Sequence, residues 1–300
     1  MGYGDALMVN AVALNMRRRF ADRKIAVVYV SSRYGTGSMP FEVSLHEGNP
    51  HIDELIVTTH LRFLWKRVFA LCGKWVFIDA RKAMDCYKKK IGKGRVVHPK
   101  GIHAIELMCS LHGINGAEIA PNVTLRDEER QKVDKILSDS GLDDAAFIIL
   151  ETGTKKDFSN KRWLPENWRR LTGLLRERRP ELRMIQISPD QIPLEGVIDL
   201  SGKTNFREAA RYLERSVGFV GPEGGLMHLA AAVGRRSVIL HSGYDPVELT
   251  AYPLHIILHH VIECSACGRL DDCPHDRQCM ALITPDEVAA AVEELLDKIK

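Results

Sequence analysis

The chain has 300 residues, and 42 Lys and Arg against 39 Asp and Glu leave a formal net charge of +3. That balance excludes the strongly basic face of a nucleic-acid binder, and no run approaches the ~20 apolar residues of a membrane span. The length suits two domains of roughly 150 residues each. The seven cysteines read as thiols or metal ligands in a reducing cytoplasm, since the first residues lack the pattern of a signal peptide.

The opening MGYGDALMVN predicts a Gly-x-Gly-Asp turn running into an apolar helix over 5–20, with glycines letting the backbone bend toward a ligand. IAVVYV (25–30), ELIVTT (54–59) and WVFIDA (75–80) are β-branched apolar runs that predict buried strands. Helical patterns cover 61–72 and 102–112. DEERQKVDKILSDSG (127–141) predicts a solvated helix that opens on acids and stops at Gly141. It marks the expected boundary, with one domain over 1–140 and a second over 141–300.

The second half alternates more cleanly. Strands are expected at 145–150, 182–188, 197–202, 217–221 and 236–243, and helices at 165–179, 205–215, 225–233 and 285–299. The last helix starts with Pro285 in its first turn. This alternation predicts an α/β fold of two doubly wound, Rossmann-like parallel sheets. Ligands of such sheets bind outside the carboxyl ends of the strands, and with two domains in the cleft between them.

Three stretches carry chemistry. In GFVGPEGGLMHLAAAVG (218–234) a strand ends in a glycine-rich turn and a compact helix follows. Gly224 and Gly225 bare the first N–H groups of that helix for a phosphate, with His228 in the first turn; the alternative is a tight turn with His228 satisfied in the core. No Gly-Lys-Ser/Thr follows, so this is not a Walker loop. ETGTKKDFSNKRWLPENWRRL (151–171) offers Thr152, Thr154, Lys155, Lys156, Ser159 and Lys161 to a diphosphate, or forms a solvated basic loop. Trp163 and Trp168 read as packing.

CSACGRLDDCPHDRQC places Cys264, Cys267, Cys273 and Cys279 in one polar loop. Four thiolates can close a tetrahedral zinc or iron site of structural kind, with His275 as a substitute ligand; the alternative is free thiols. Cys72, Cys86 and Cys109 are dispersed and expected in the core.

The ordered set G-x-G-D, K-R-W-x-P-E-x-W, G-P-E-G-G-x-x-H-L-A-A-A-x-G and C-x-x-C with C-M before the last helix resembles glycosyltransferase family 9, the ADP-heptose:lipopolysaccharide heptosyltransferases. The resemblance implies a GT-B fold, two Rossmann-like domains facing across a cleft, with acceptor held by the N-terminal domain and nucleotide-sugar by the C-terminal one. The final helix is expected to return to the N-terminal domain. It also implies an inverting transfer from an ADP-sugar donor to an anionic cell-envelope glycolipid, with no cofactor for catalysis. The chain has no Asp-x-Asp of the metal-dependent transferases. By the same resemblance Asp5 is the general base, Lys161, Thr152 and Thr154 hold the diphosphate, Gly224, Gly225 and His228 form the phosphate turn, and Asp199 holds the ribose hydroxyls.

There are departures. Glu223-Gly224-Gly225 stands where the family has Asp-Thr-Gly or Asp-Ser-Gly, which keeps a carboxylate and loses a hydroxyl. The family's first strand precedes the glycine turn, so a start assigned too far downstream is expected. YKKKIGKGR (87–95) suits an anionic acceptor or is a solvated face, and LRFLWKRVFALCG (61–73) rests on the cytoplasmic side of the inner membrane or covers its own sheet. The competing functions are a nucleotide-sugar-binding protein without transferase activity and a GT-B sugar-nucleotide epimerase.

Overall fold

The structure is a computed structural model and describes residues 3–30, 41–58, 73–90, 95–154, 156–188, 192–269 and 272–298. The expected helix over 61–72, Cys72, Lys155 and the centre of the basic run at 91–94 lie outside the described residues. The chain divides into two compact units, Met1–Lys89 with Gly101–Thr124, and Lys90–Lys100 with Leu125–Lys300.

In the first unit, α1 (Tyr3–Arg19) is buried on nearly every side, from Ala6 to Val9, Ala11 to Ala13 and Met16. A helix apolar all round has no solvent face to offer and becomes core. It begins at Tyr3, so Gly4 lies inside the helix rather than in a turn before it. Strand β1 (Lys24–Val30) lies between β2 (Glu54–Thr58) and β3 (Trp75–Asp79), parallel to both. Helices α2 (Ala80–Asp85) and α3 (Ala104–Ser110) pack on α1. Buried amides of α1 anchor the return of the chain: Asn10 Nδ2 donates to the carbonyls of Leu45 and Asn122, and Asn15 exchanges two bonds with the main chain of Glu118.

The second unit begins with α4 (Asp127–Asp139) and then winds β4 (Phe147–Leu150), α5 (Pro165–Arg178), β5 (Arg183–Gln186), β6 (Ile198–Asp199), α6 (Phe206–Arg215), β7 (Gly218–Pro222), α7 (Gly225–Ala232), β8 (Ser237–Leu240), β9 (Ile256–Leu258) and α8 (Pro285–Asp297). The sheet order is β9-β8-β7-β4-β5-β6, every pair parallel. The chain starts in the middle, builds outward through β5 and β6, then crosses back to lay β7 against the other side of β4. That reversal opens a crevice beyond the ends of β4 and β7.

Helix α8 lies on α5 and on its own sheet, with Trp163 Nε1 donating to Ile283 O at 2.9 Å and Arg170 pairing with Asp286. Gly218 makes room for it, since a Cβ there would sit 2.8 Å from Leu295 Cδ2. The second unit takes in α4, which is tied to α6. Arg207, only 1% exposed, forks onto Glu129 at 2.6 and 3.0 Å, and Arg211 forks onto Asp134 at 2.9 and 2.8 Å. Strand β9, hidden in the short run LHIILHH, was not expected.

The Arg207–Glu129 pair generates a test. Burial raises the Glu129 carboxyl, but Arg207 and Arg126 outweigh it and hold it below the ordinary value of 4.5. A depressed acid contributes stability above its unfolded value and loses it as pH falls through the folded one. Arg207→Ala should therefore lower stability at neutral pH by about 3 kcal/mol in urea unfolding, and by much less in strong acid. An equal loss at both pH values would refute the ionic contribution.

Candidate functional site

In the first unit, Asp5 occupies the first turn of α1 with its side chain 11% exposed. Its Oδ1 accepts from the Tyr87 hydroxyl and from Lys88 Nζ, the latter at 2.7 Å. Lys88 Nζ also lies over the Tyr87 ring, 4.8 Å from its centroid. A fixed carboxylate on a buried helix is a suitable acceptor for a hydroxyl proton.

In the second unit, the loops after β4 and β7 meet at the sheet's switch point. Lys161 and Glu223 form an ion pair there with side chains 9% and 6% exposed. His228 stands behind it: Nε2 is 3.9 Å from Glu223 Oε1, and Nδ1 shares a 2.7 Å hydrogen bond with the Tyr252 hydroxyl. The expected His228 is thus both a core side chain and a neighbour of the charged pair. Gly224, which has no side chain to cap with, stands at the N-cap of α7, and Gly225 opens the helix.

The other expected residues form a second chain of contacts. Thr152 Oγ1 donates to Gln186 Oε1 at 3.1 Å, and Gln186 Nε2 donates to Asp199 Oδ1 at 3.0 Å, which also accepts from Ser201 N–H. Thr154 accepts from Arg162 Nε at 3.2 Å. Gln186 and Asp199 line a cavity of about 490 Å³ whose walls include Ile192, Pro193, Leu194 and Val197. A polar edge on an apolar slot of this size suits a planar ring.

Three groups at the strand ends were missed by sequence reasoning. Glu151 is the residue after β4; its Oε2 has no hydrogen-bond partner, and burial pushes its carboxyl up to about 8. His241 and Asp245 follow β8, with Nε2 and Oδ1 3.8 Å apart. Burial lowers His241; for Asp245 burial acts upward, and Lys161 with His241 and His98 overcomes it. The one signal available was position, as Glu151 and His241 are polar residues directly after an apolar run and Asp245 lies in the turn that follows one.

The cysteines gather only in part. Cys264 is raised first by burial and then by Cys267, Cys279 and Cys273, so the four thiols share one neighbourhood. Among the described residues, however, no group of three or more His, Cys, Asp or Glu side chains is placed to hold a metal ion. A four-thiolate site at Cys264, Cys267, Cys273 and Cys279 is therefore not shown among the described residues. Cys109 is in the core as expected, while Cys86 is only half-buried.

Glu151 supplies a pH test. Its native carboxyl keeps a proton that the unfolded chain releases near 4.5, so its contribution falls as pH rises toward about 8. Glu151→Gln, which imitates the neutral acid, should raise Tm near pH 8 and leave it unchanged near pH 4. A variant that still loses stability over that range as the parent does would refute the assignment.

The profile of glycosyltransferase family 9 (heptosyltransferase) matches residues 93–271. Among solved structures, the chain is similar to the glycosyl transferase family 9 protein of Veillonella parvula, with a TM-score of 0.70 and 16% identity over 99% of this chain and 95% of that one. It is similar to ADP-heptose lps heptosyltransferase II of E. coli, with a TM-score of 0.66 and 14% identity over 100% and 97% of the two chains. It is also similar to TibC of enterotoxigenic E. coli, a dodecameric iron-containing heptosyltransferase solved with ADP-D-beta-D-heptose, at a TM-score of 0.57 and 16% identity over 93% and 78%. Among curated proteins none matches the chain. The solved structures share its α/β fold with parallel sheets, and the family profile spans more than half of its length. This chain is a glycosyltransferase, a member of the heptosyltransferase family, glycosyltransferase family 9.

Proposed function

We propose that the enzyme transfers a heptose-class sugar, with inversion and without a catalytic metal, from an ADP-sugar donor to an anionic cell-envelope glycolipid such as lipopolysaccharide core. The observation that carries this reading is the buried Lys161–Glu223 pair at the switch point, beside a helix start without a side-chain cap. TibC, solved with ADP-D-beta-D-heptose, supports the donor class.

The residues divide the work by unit. The first unit takes the acceptor, and Asp5 removes its hydroxyl proton as the oxygen attacks the anomeric carbon. The bond from that carbon to the donor diphosphate breaks, and the electron pair leaves with the diphosphate. Lys161 exchanges part of its contact with Glu223 for the departing phosphate, and the N–H groups of Gly224 and Gly225 meet the same charge. His228 holds Glu223 in place. Thr152 and Thr154 edge the diphosphate loop, Asp199 holds the ribose, and the neighbouring cavity takes the base. The enzyme works in the cytoplasm, peripheral to the inner membrane; no helix among the described residues is long and apolar enough to cross it. A structural zinc or iron on the four cysteines belongs to the same proposal, supported by the iron of TibC; it requires the loop to draw its thiols together, and metal analysis of gently purified protein checks it.

Thermal shifts with ADP-, UDP- and GDP-sugars should single out the ADP compounds, and Lys161→Met should abolish the shift. Indifference to all three classes would refute the donor site. Asp5→Asn should bind donor as the parent does and transfer sugar about 10²- to 10⁴-fold more slowly. Transfer at the parental rate would remove Asp5 from the base role.

A further inference from the structure

The proposed transfer makes no use of the cysteine loop, yet the loop is bonded to the surroundings of Lys161 on several sides. Cys267 N–H donates to Gly243 O at 3.0 Å and Gly268 N–H donates to Tyr244 O at 2.8 Å. Lys161 Nζ in turn lies over the Tyr244 ring, 4.4 Å from its centroid. On the other side, Asn160 Nδ2 donates to Arg269 O at 3.2 Å, and the Arg277 guanidinium donates to Arg162 O at 3.5 Å. The residue before Lys161, the residue after it and the ring beneath it are all held by 267–277.

This loop is also where backbone strain collects. Ala266, Asp272, Asp276 and Arg277, at φ of 63, 52, 46 and 56°, are the non-glycine residues in the left-handed region among those described. Each is unfavourable for a side chain with a Cβ, and such conformations persist where the surroundings over-determine them. Gly268, at φ +63°, admits no side chain at all, since a Cβ would fall 1.6 Å from Val96 O. The loop's path is thus imposed by its bonds, and the four partly exposed thiols are spread along that path.

We propose that the cysteine loop is a clamp that sets Lys161 for the donor diphosphate, with Tyr244 and Asn160 as positioning residues, and that modification of its thiols by an electrophile weakens donor binding through that clamp. The proposal rests on the donor site described above. For a maleimide the chemistry is simple addition: the thiolate sulfur bonds to one alkene carbon, the other takes a proton, and nothing leaves.

The test uses full-length protein carrying Cys72→Ser and Cys86→Ser and freed of any bound metal with a chelator, with ADP titrated calorimetrically before and after N-ethylmaleimide and the adducts located by mass spectrometry. Adducts on Cys264, Cys267, Cys273 or Cys279 should raise the Kd for ADP about tenfold, the scale of one lost cation–π contact at a desolvated site. Tyr244→Leu should raise it similarly and Tyr244→Phe should restore it, because the ring rather than the hydroxyl carries the contact. N-ethylmaleimide should add little to Tyr244→Leu, since both act on one path. Asn160→Ala should raise the donor KM with kcat unchanged. ADP affinity within twofold of the untreated value after loop modification, or full additivity with Tyr244→Leu, would overturn the clamp while leaving the donor site standing. Failure of untreated protein to bind ADP would remove the donor site and the clamp with it.

Discussion

A lysine and a glutamate almost wholly out of water constrain everything around them. Alone, each would leave a buried charge worth several kcal/mol of lost solvation; together, Lys161 and Glu223 are tolerated because the pair is near-neutral. The pairing requires the loop after β4 and the loop after β7 to end at one place. Only a sheet in which β7 returns to the flank of β4 brings those ends together, so the ion pair and the strand order are two aspects of one arrangement.

The surroundings follow from that pair. Tyr244 offers a π face to the ammonium, His228 stands against the carboxylate with its far nitrogen tied to Tyr252, and Asp245 places a second carboxylate within reach of the lysine's field. A lysine held this way is already stripped of water and aimed. The first unit fixes a carboxylate by a different device, a hydroxyl and an ammonium meeting Asp5 on a core helix.

Much of this was legible in the sequence. FIIL and SVIL are buried strands because continuous apolar runs suit a sheet covered on both faces. Pro285 in the first turn placed the start of the last helix, which begins at that residue. That Lys161, Glu223 and His228 lie near one another was legible from the family motifs, whose order along the chain carries over. Glu151, Gln186, His241, Tyr244 and Asp245 were not, because a polar residue after a strand reads alike whether it faces solvent or a buried crevice.

The sequence by itself determined the α/β class, the position of nearly every strand and the identity of the charged residues in the turns, since these depend on local periodicity and backbone chemistry. Tertiary structure alone decided which residues those charges meet. Arg207 was one arginine among many until α6 covered it with α4, and Gly218 leaves the second sheet open to Leu295 of α8. The cysteine loop showed the same division: its composition suggested a metal, while its main-chain bonds led to Tyr244 and Asn160. Partners across more than a hundred residues are set by burial and close packing, which act only once the chain has folded.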